Sequence, residues 1–449
     1  MKRRSILKSI VLVFILAAFS MSLVSAGTVP GGLTFSNTPL VRPEGDSEPA
    51  ISIAADGTMA ITGLQWLFDP NFFGTHLWSG SFGSTPTFRG LIDASLQKRG
   101  KQVFGSGDAD VDLGSSGKLH ATSLIFLINP TFINAQLGVS AITCTDATAS
   151  NCTSQIIDTA GADRQWITSE GTHVYIAYHD SASSSLIKVQ RSDDDGYTWR
   201  RVGNPIVGQG RTTGNATFNN TAGPIVADPV THNVYAIYTA GEPGIQKGTS
   251  ADFNNVFVSR STDGGKRWTA NLVYHAPLFT SLSNVFPALA VDPVNGKLYA
   301  TWSDPQATFF STSSDAGAHW SPAVTVNIAP ATTAIFPWVA AYNGTVDVVY
   351  YGTTAASNDE TAVWNVYLAQ TINDGASFAQ SLVSNTPNHV GVICTNGIGC
   401  AAGTRNLLDL FEVGINPQNG KAAVIYTDDM ITTTSSGDPL PQVVLAQQN

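Results

Sequence analysis

Short runs of alternating apolar and polar residues follow one another along this chain, and turn-forming residues separate them. In one clear case an apolar run at 287–291 is followed by a turn at Asn295-Gly296 and by a second run at 297–303. A period of two, with β-branched and aromatic residues inside the runs and Gly or Asn at the breaks, predicts β-strands. Such pairs of runs begin near seven positions, which are Glu48, Asp108, Asp163, Gly223, Pro287, Phe336 and Leu408.

Each unit continues with a third strand, a turn and a fourth strand, as at 256–260 and 268–274. Four antiparallel strands per unit correspond to one blade of a β-propeller. The last unit supplies only three strands, whereas residues 33–41 resemble the fourth strands of other units. The sequence therefore predicts an all-β chain with a single propeller of seven blades, six being the alternative, in which the N-terminal strand completes the last blade and removes an exposed edge.

A repeated phrase, Ser-x-Asp-x-Gly-x-x-Trp, marks the turn between the third and fourth strands. A hydroxyl and a carboxylate can accept backbone N–H bonds across such a turn, Gly supplies a positive φ, and the aromatic ring packs on the sheet. We interpret these residues as structural rather than catalytic. The three full copies and one degenerate copy consist of Ser192, Asp194, Gly196 and Trp199; Ser261, Asp263, Gly265 and Trp268; Ser313, Asp315, Gly317 and Trp320; and Asn373, Gly375 and Phe378.

This phrase resembles the Asp-box, or bacterial neuraminidase repeat, of the sialidase (neuraminidase) superfamily. The resemblance implies a propeller whose active site lies in the central funnel, where three arginines hold the substrate carboxylate and an Asp acts as acid and base. Arg42, in Val41-Arg42-Pro43, keeps the Arg and Pro of the family's first arginine phrase, and Arg164 and Arg405 fall in equivalent loops. The resemblance thus suggests these three arginines as substrate-binding residues and Asp110 or Asp180 as the catalytic carboxylate. Sialidases have six blades, so a seventh would be a departure.

Polar residues collect in the loops that enter the inner strands and in those that leave the second strands, which together would line the funnel. Paired carboxylates there could serve as general acid and base for glycoside hydrolysis. The entry residues are Arg42, Glu44, Asp46, Glu48, Asp108, Asp110, Asp163, Arg164, Arg211, Arg405 and Asp409. The exit residues are Asp69, His179, Asp180, Glu242, Asp304, Asp359, Glu360, Asp428 and Asp429.

The N-terminus has the features of an export signal. Basic residues, an apolar stretch at 10–19 and a small-residue site before Gly27 predict a signal peptide at 1–26 and a propeller domain at 27–449.

The signal contains four of the 23 Lys and Arg residues and none of the 33 Asp and Glu residues, so the rest of the chain carries a net charge of −14. This charge argues against nucleic acid as a partner, and no later stretch is apolar enough to span a membrane. We therefore expect a secreted protein.

Four cysteines form two close pairs, Cys144 with Cys152 and Cys394 with Cys400. Export favours disulfides, and local pairing would stiffen two loops; a zinc site would need a tighter spacing and a nearby His.

No cofactor is required by any motif. Calcium is an option at Asp108, Asp110 and Asp112, because alternation places the three carboxylates on one strand face.

Three functions fit these observations. The first is an exported, sialidase-like propeller that engages extracellular glycans in its funnel. The second is an active exo-glycosidase of the sialidase type, which requires the three arginines to converge with a carboxylate. The third is a protein-binding scaffold that uses the loops at 240–255 and 352–364, and an exposed apolar top face would favour it.

Overall fold

In the part of the chain that the structure describes, thirty strands form seven separate antiparallel sheets arranged as the blades of a propeller. The structure is a computed structural model that describes residues 32–65, 74–105, 107–129, 132–180, 186–206, 220–241, 253–282, 285–401 and 403–449. The all-β prediction and the count of seven blades are confirmed. The signal peptide at 1–26, Asp69, Arg211, Glu242 and most of the loop at 240–255 lie outside the described residues.

Within each blade the strands follow the chain from the central channel outwards. Blade 1 contains β2 (Asp46–Ile53), β3 (Thr58–Gln65), β4 (Thr75–Ser81) and β5 (Thr87–Leu91). Blade 2 contains β7 (Ala109–Leu113), β8 (Leu119–Asn129), β9 (Phe132–Cys144) and β10 (Thr153–Asp158), with β6 (Gln102–Phe104) paired to β8. Blade 3 contains β11 (Asp163–Glu170), β12 (His173–His179), β13 (Ile187–Ser192) and β14 (Arg200–Gly203).

The remaining blades repeat this order. Blade 4 contains β15 (Asn220–Ala227), β16 (Val234–Ala240), β17 (Asn255–Ser261) and β18 (Thr269–His275). Blade 5 contains β19 (Ala288–Val291), β20 (Leu298–Ser303), β21 (Thr308–Ser313) and β22 (Val324–Thr325). Blade 6 contains β23 (Thr333–Tyr342), β24 (Thr345–Thr353), β25 (Val363–Thr371) and β26 (Ala379–Leu382), with β27 (His389–Val390) paired to β25.

Blade 7 closes the ring with strands from both ends of the chain. It contains β28 (Glu412–Ile415), β29 (Ala422–Thr433), β30 (Pro439–Gln448) and β1 (Phe35–Pro39). β1 pairs antiparallel with β30, from Phe35 opposite Gln448 to Pro39 opposite Val444. The predicted completion of the last blade by the N-terminal strand is confirmed.

The core lies between neighbouring blades rather than in one central layer. All seven residues of β16 are buried, because both faces of a blade's second strand pack against other blades. One apolar cluster joins Trp166 and Tyr175 of blade 3 to Ala236 and Tyr238 of blade 4. Burial on both faces explains why the second strands are nearly continuous apolar runs, whereas a strand exposed on one face alternates.

The repeated phrase forms a hydrogen-bonded turn between the third and fourth strands of blades 3 to 6. In the blade 4 copy the Ser261 hydroxyl donates to Asp263 Oδ1 at 3.0 Å and accepts the Gly265 N–H at 2.8 Å. Asp263 also accepts the Arg267 N–H at 2.9 Å, and the Trp268 indole donates to the Gly265 carbonyl at 2.8 Å. These side chains satisfy backbone groups at the turn, which lies between the two outer strands of the blade.

Replacing Ser261 with alanine is expected to lower the free energy of unfolding by about 1–2 kcal/mol, because a buried hydroxyl that satisfies the Gly265 N–H is lost. Thr262, exposed in the same turn, gives the matched control: Thr262→Ala should change stability by less than about 0.5 kcal/mol. Urea unfolding of the two variants measures the difference. Equal effects would show that the hydroxyl of the phrase has no special part in the turn.

Both predicted disulfides are present, Cys144–Cys152 and Cys394–Cys400, so the local pairing is confirmed. The first closes the turn between β9 and β10, where the repeated phrase is absent. Disulfides of this kind fit an oxidising compartment such as the extracellular space. Within the described ranges, no helix has the length and apolar character that crossing a membrane requires.

Candidate functional site

A pocket of about 610 Å³ opens on the propeller axis at the end where the inner strands begin. This is the end at which the sequence places the funnel loops. Its described lining includes four carboxyl groups, two arginines and several large apolar side chains. The polar members are Glu48, Asp108, Asp163, Arg164, His179, Asn396, Arg405 and Asp409, and the large apolar members are Leu64, Leu124, Phe126, Leu137, Phe286 and Leu408.

Kinks at the start of the inner strands turn two of these charged residues towards the axis. Glu48 and Arg164 have positive φ angles of 47° and 42°. The strand register shifts at the same points, between Ser47 and Ala50 in β2 and between Asp163 and Gln165 in β11. A bulge of this type re-aims a side chain, and a positive φ on a residue other than Gly is costly and tends to occur at functional sites.

Arg164 is the central cation of the pocket floor, with only 4% of its side chain exposed. Its Nη1 lies 3.6 Å from Glu48 Oε1 and donates to the Ala109 carbonyl at 3.2 Å. The guanidinium lies over the Trp166 ring, 4.6 Å from the centroid. Burial raises the pKa of the surrounding carboxyl groups, and the charge of Arg164 limits this rise; the groups are Glu48, Asp110, Asp163, Asp409 and Glu412.

The wall from blade 7 is a loop that the sequence pattern leaves without regular structure. It carries the Cys394–Cys400 disulfide, a short 3₁₀ helix at Gly397–Gly399, and the ion pair between Arg405 and Asp409. A buried hydrogen-bond cluster fixes this loop to blade 7: Asp429 Oδ2 lies 2.9 Å from His389 Nδ1 and accepts the Asn406 amide at 2.8 Å. The loop therefore holds Arg405 at the pocket.

The opposite wall is an extension of blade 2. The hairpin β8–β9 is longer than the equivalent hairpins and pairs with β6, and its Leu124, Phe126 and Leu137 face the pocket. Phe286, from the segment before β19, adds a second aromatic ring. The pocket thus combines an apolar wall with a charged floor, as in most small-molecule sites.

Three of the pocket carboxyl groups, Glu48, Asp163 and Asp409, bind protons more tightly than usual. Burial raises the pKa of Glu48 well above its usual range, aided by the charges of Asp108 and Asp409. Asp163 opens onto the pocket, but the enclosing walls remove much of its hydration and, with the charge of Asp108, raise its pKa to about 7. Burial also raises the pKa of Asp409. A carboxyl that titrates near neutral pH can give and take a proton in catalysis.

Of the three predicted arginines, Arg164 and Arg405 come together in the pocket, and Arg42 does not line it. Arg42 lies over the Phe88 ring at 3.9 Å, and its Nε is 3.5 Å from Glu44. Asp180 lies in blade 3, 3.6 Å from Lys188 Nζ, which also contacts Asp158 at 3.1 Å.

Asp110 lies lower in the channel and joins two blades. Its Oδ2 accepts the Ile167 N–H of the next inner strand at 2.8 Å. Glu412 makes the same contact between blades 7 and 1, accepting the Ile51 N–H at 2.9 Å. Inner strands have no partner on the channel side, so these carboxyls satisfy N–H groups that would otherwise be unpaired. Burial raises the pKa of Asp110 to about 7.

The carboxylates that suggested calcium are separated along the channel. Asp108 lines the pocket, whereas Asp110 and Asp112 line a second cavity of about 480 Å³ towards the other end. In the described part of the chain, no group of three or more His, Cys, Asp or Glu side chains is placed to hold a metal ion.

Glu48, Asp108, Asp163 and Asp409 belong to the loops that the sequence places around the funnel, and Asp108 is also one of the three carboxylates that suggest calcium, but no motif selects these four residues as catalytic or substrate-binding. One signal was available for Glu48, because it precedes Pro49 at a strand entry, as Gly223 and Phe336 precede Pro224 and Pro337. The register shifts at each of these three places. The mutual proximity of the four carboxyls depends on ring closure, which sequence spacing does not give.

The comparisons with known proteins give the fold. No protein-family model and no curated protein matches the chain. Among solved structures it is similar to an ulvan lyase, a polysaccharide lyase bound to -[GlcA(1-4)Rha3S]-, at 13% identity and a TM-score of 0.53, over 93% of this chain and 94% of that one. It is also similar to a protein of unknown function from Dyadobacter fermentans, at 10% identity and a TM-score of 0.52, over 93% and 100% of the two chains. These likenesses show that the chain shares their propeller fold.

Proposed function

We propose that this chain is an exported propeller that binds carbohydrate in the axial pocket, whose charged residues come from blades 1, 2, 3 and 7. One observation carries the proposal: the pocket places solvent-accessible carboxylates opposite an apolar wall that contains Phe126 and Phe286. A sugar ring has the same two-sided character, because its hydroxyls donate hydrogen bonds to carboxylates and its C–H face packs on aromatic rings. The ulvan lyase, a propeller of similar fold, is itself bound to a carbohydrate, which supports this choice.

Export is part of the same proposal. The signal peptide predicted at 1–26 would direct the chain out of the cell, and the two disulfides fit an oxidising destination. The resemblance of the repeated turn phrase to the Asp-box of the sialidase superfamily also supports a glycan ligand. In this proposal Arg405 and Arg164 organise the pocket, and Arg42, Asp110 and Asp180 are not used.

Glycoside hydrolysis is the second candidate, and one observation favours it. Asp163 has a pKa of about 7, so it can hold or release a proton near neutral pH, and the same pocket contains a second carboxyl, Asp108, that could be its partner in general acid–base catalysis. If Asp163 is the acid, the rate should fall as the pH rises through about 7, because the group loses the proton that it must give to the leaving group.

A protein-binding scaffold is the third candidate. Val363 and Val390 pair side by side on blade 6 at the edge of the loop at 352–364, and they are 41% and 50% exposed. In the carbohydrate proposal these residues lie outside the pocket. A protein partner captured through them would be insensitive to changes in the pocket wall.

The proposal predicts that Phe126→Ala weakens carbohydrate binding at least about 10-fold, because the aromatic surface for the sugar face is lost. A glycan array followed by calorimetric titration of the best ligand measures this, and a fluorogenic glycoside panel tests the same protein for hydrolysis. Leu272→Ala is the control, since Leu272 is 50% exposed on β18 at the outside of the ring. Binding that survives Phe126→Ala, or binding to no glycan at all, would contradict the proposal.

A further inference from the structure

The accessible charge of the pocket is acidic. Among the described lining residues, Asp163 is exposed and Asp108 is half-buried, and the side chain of Asp409 is 14% exposed. Arg405 is the partly exposed cation, at 22% of its side chain. Arg164 is 4% exposed and lies beneath the surface. A ligand therefore meets three carboxylates and one guanidinium.

Both arginines are already engaged by protein carboxylates. Arg405 pairs with Asp409, and Arg164 lies 3.6 Å from Glu48. Three of their donors, Arg164 Nε and Nη2 and Arg405 Nε, make no hydrogen bond to the described residues and are closed off from solvent. An anionic group in the pocket could not reach these three donors, and it would stand close to Asp108 and Asp163.

Glu48, a buried acid beneath the pocket surface, adds to the excess of negative over positive charge. Glu48 lines the pocket with 1% of its side chain exposed, and its Oε1 has no hydrogen-bond partner within the described ranges. A buried carboxylate without a full set of partners is costly unless a positive charge is near. Arg164 supplies one such charge, and it is shared with the other carboxyl groups around it.

Resting on the proposed carbohydrate function, we propose that the pocket selects an amino sugar, whose ammonium group lies against Asp108 and Asp163 while its ring packs on the wall of Leu124, Phe126 and Leu137. The ammonium group supplies a positive charge that the pocket lacks, because its accessible carboxylates outnumber its accessible guanidinium groups. Its three N–H donors form charge-assisted hydrogen bonds with carboxylates, which are stronger than bonds between neutral groups. Sugars that carry a carboxylate or a sulfate are disfavoured at the same place.

The raised pKa values of two pocket carboxyl groups are consistent with a cationic ligand. The pKa of Asp163 is about 7, raised by lost hydration and by the charge of Asp108, and the pKa of Glu48 is raised for the same two reasons. Mutual repulsion among carboxyls is relieved by a cation, which favours their ionised forms. An anion would increase the repulsion.

The test compares matched sugars on the full chain. Glucosamine, galactosamine and a chitosan tetramer are titrated beside their N-acetylated forms and beside glucuronate and galacturonate, with affinity measured by calorimetry. We expect at least one amino form to bind about 10-fold or more tightly than its N-acetylated match, and the uronates to bind most weakly. Equal or tighter binding of the N-acetylated sugars or the uronates would overturn this inference and leave the carbohydrate function standing. No binding by any sugar would overturn both.

A pair of variants separates the charge from the shape of the pocket. Asp163→Asn keeps the size of the side chain, so it should weaken the amino sugar about 10-fold and change the N-acetylated match by less than about 2-fold. The control, Asp56→Asn, removes an exposed carboxylate from the turn between β2 and β3 at the other end of the ring and should change neither affinity. If Asp163→Asn lowered the affinity for both sugars equally, the carboxylate of Asp163 would not be recognising the charge of the ammonium group.

Discussion

Replacing Arg164 with methionine will lower the free energy of unfolding by about 3–5 kcal/mol, because it removes the buried cation on which several carboxyl groups depend. The guanidinium lies 3.6 Å from Glu48, bonds to the Ala109 carbonyl and stacks on Trp166. It also limits the rise in pKa that burial causes in Asp110 and Glu412, the carboxyl groups that join neighbouring inner strands. Urea unfolding measured by tryptophan fluorescence gives the change.

The loss should grow with pH. Asp110 has a pKa of about 7 in the folded chain, above its unfolded value, so its contribution to stability already falls as the pH rises towards 7. Without Arg164 the folded pKa rises further and the fall continues to higher pH. The variant should therefore differ from the wild type more at pH 8 than at pH 5, where Asp110 is protonated in both folded forms.

Arg42→Met is the matched control for this substitution. Arg42 is 27% exposed and has one ion pair, with Glu44 at 3.5 Å, so its loss should cost about 1 kcal/mol or less with little dependence on pH. If the two substitutions had equal effects, or if the Arg164 effect were the same at pH 5 and pH 8, Arg164 would not be the counter-charge of the channel carboxyls.

Deleting residues 33–40 will destabilise the propeller by on the order of 5 kcal/mol, because it removes the strand that closes the ring. The deletion takes away β1, the buried Leu40 with its N–H bond of 2.8 Å to Val443, and the bond of 2.7 Å from the Tyr426 hydroxyl to Asn37. It also exposes β30 as an unpaired edge, which favours association between copies. Urea unfolding and size-exclusion chromatography measure the two effects.

A synthetic peptide of residues 32–42 provides the control for the deletion. Added in excess, it should dock on β30 and restore the unfolding midpoint, and a scrambled peptide should not. A deleted chain that stays monomeric with an unchanged midpoint would show that closure by β1 does not support the ring.

Much of the fold could be predicted because its signals are local. Period-two runs, turn residues and the repeated Ser-x-Asp-x-Gly-x-x-Trp phrase each act within about 10 residues, and their spacing gives seven four-stranded blades. The missing fourth strand of blade 7 and the similarity of residues 33–41 to other fourth strands were also enough to predict ring closure. The close cysteine pairs indicated the disulfides for the same local reason.

The site could be predicted only in part. Arg164 and Arg405, which the family resemblance suggests and which fall in equivalent loops, line the pocket, whereas Arg42, suggested by the same resemblance, packs on Phe88. The position of a residue in such a loop predicts the end of the propeller at which it lies, but it does not predict where its side chain points. At Glu48 and Arg164 the direction of the side chain is set by positive φ angles of 47° and 42°. A positive φ can be predicted from sequence at Gly, but not at other residues such as these.

The sequence by itself determined the strands, the turns, the number of blades and the end of the ring where charged loops collect, because neighbouring residues fix backbone geometry. The tertiary structure decided which charges meet. Residues from four blades, Glu48, Asp108, Asp163 and Asp409, share one pocket only after the ring closes. The raised proton affinity of Glu48, Asp163 and Asp409 and their shared counter-charge on Arg164 arise from burial and mutual distance, which are properties of the assembled channel and not of any segment of the chain.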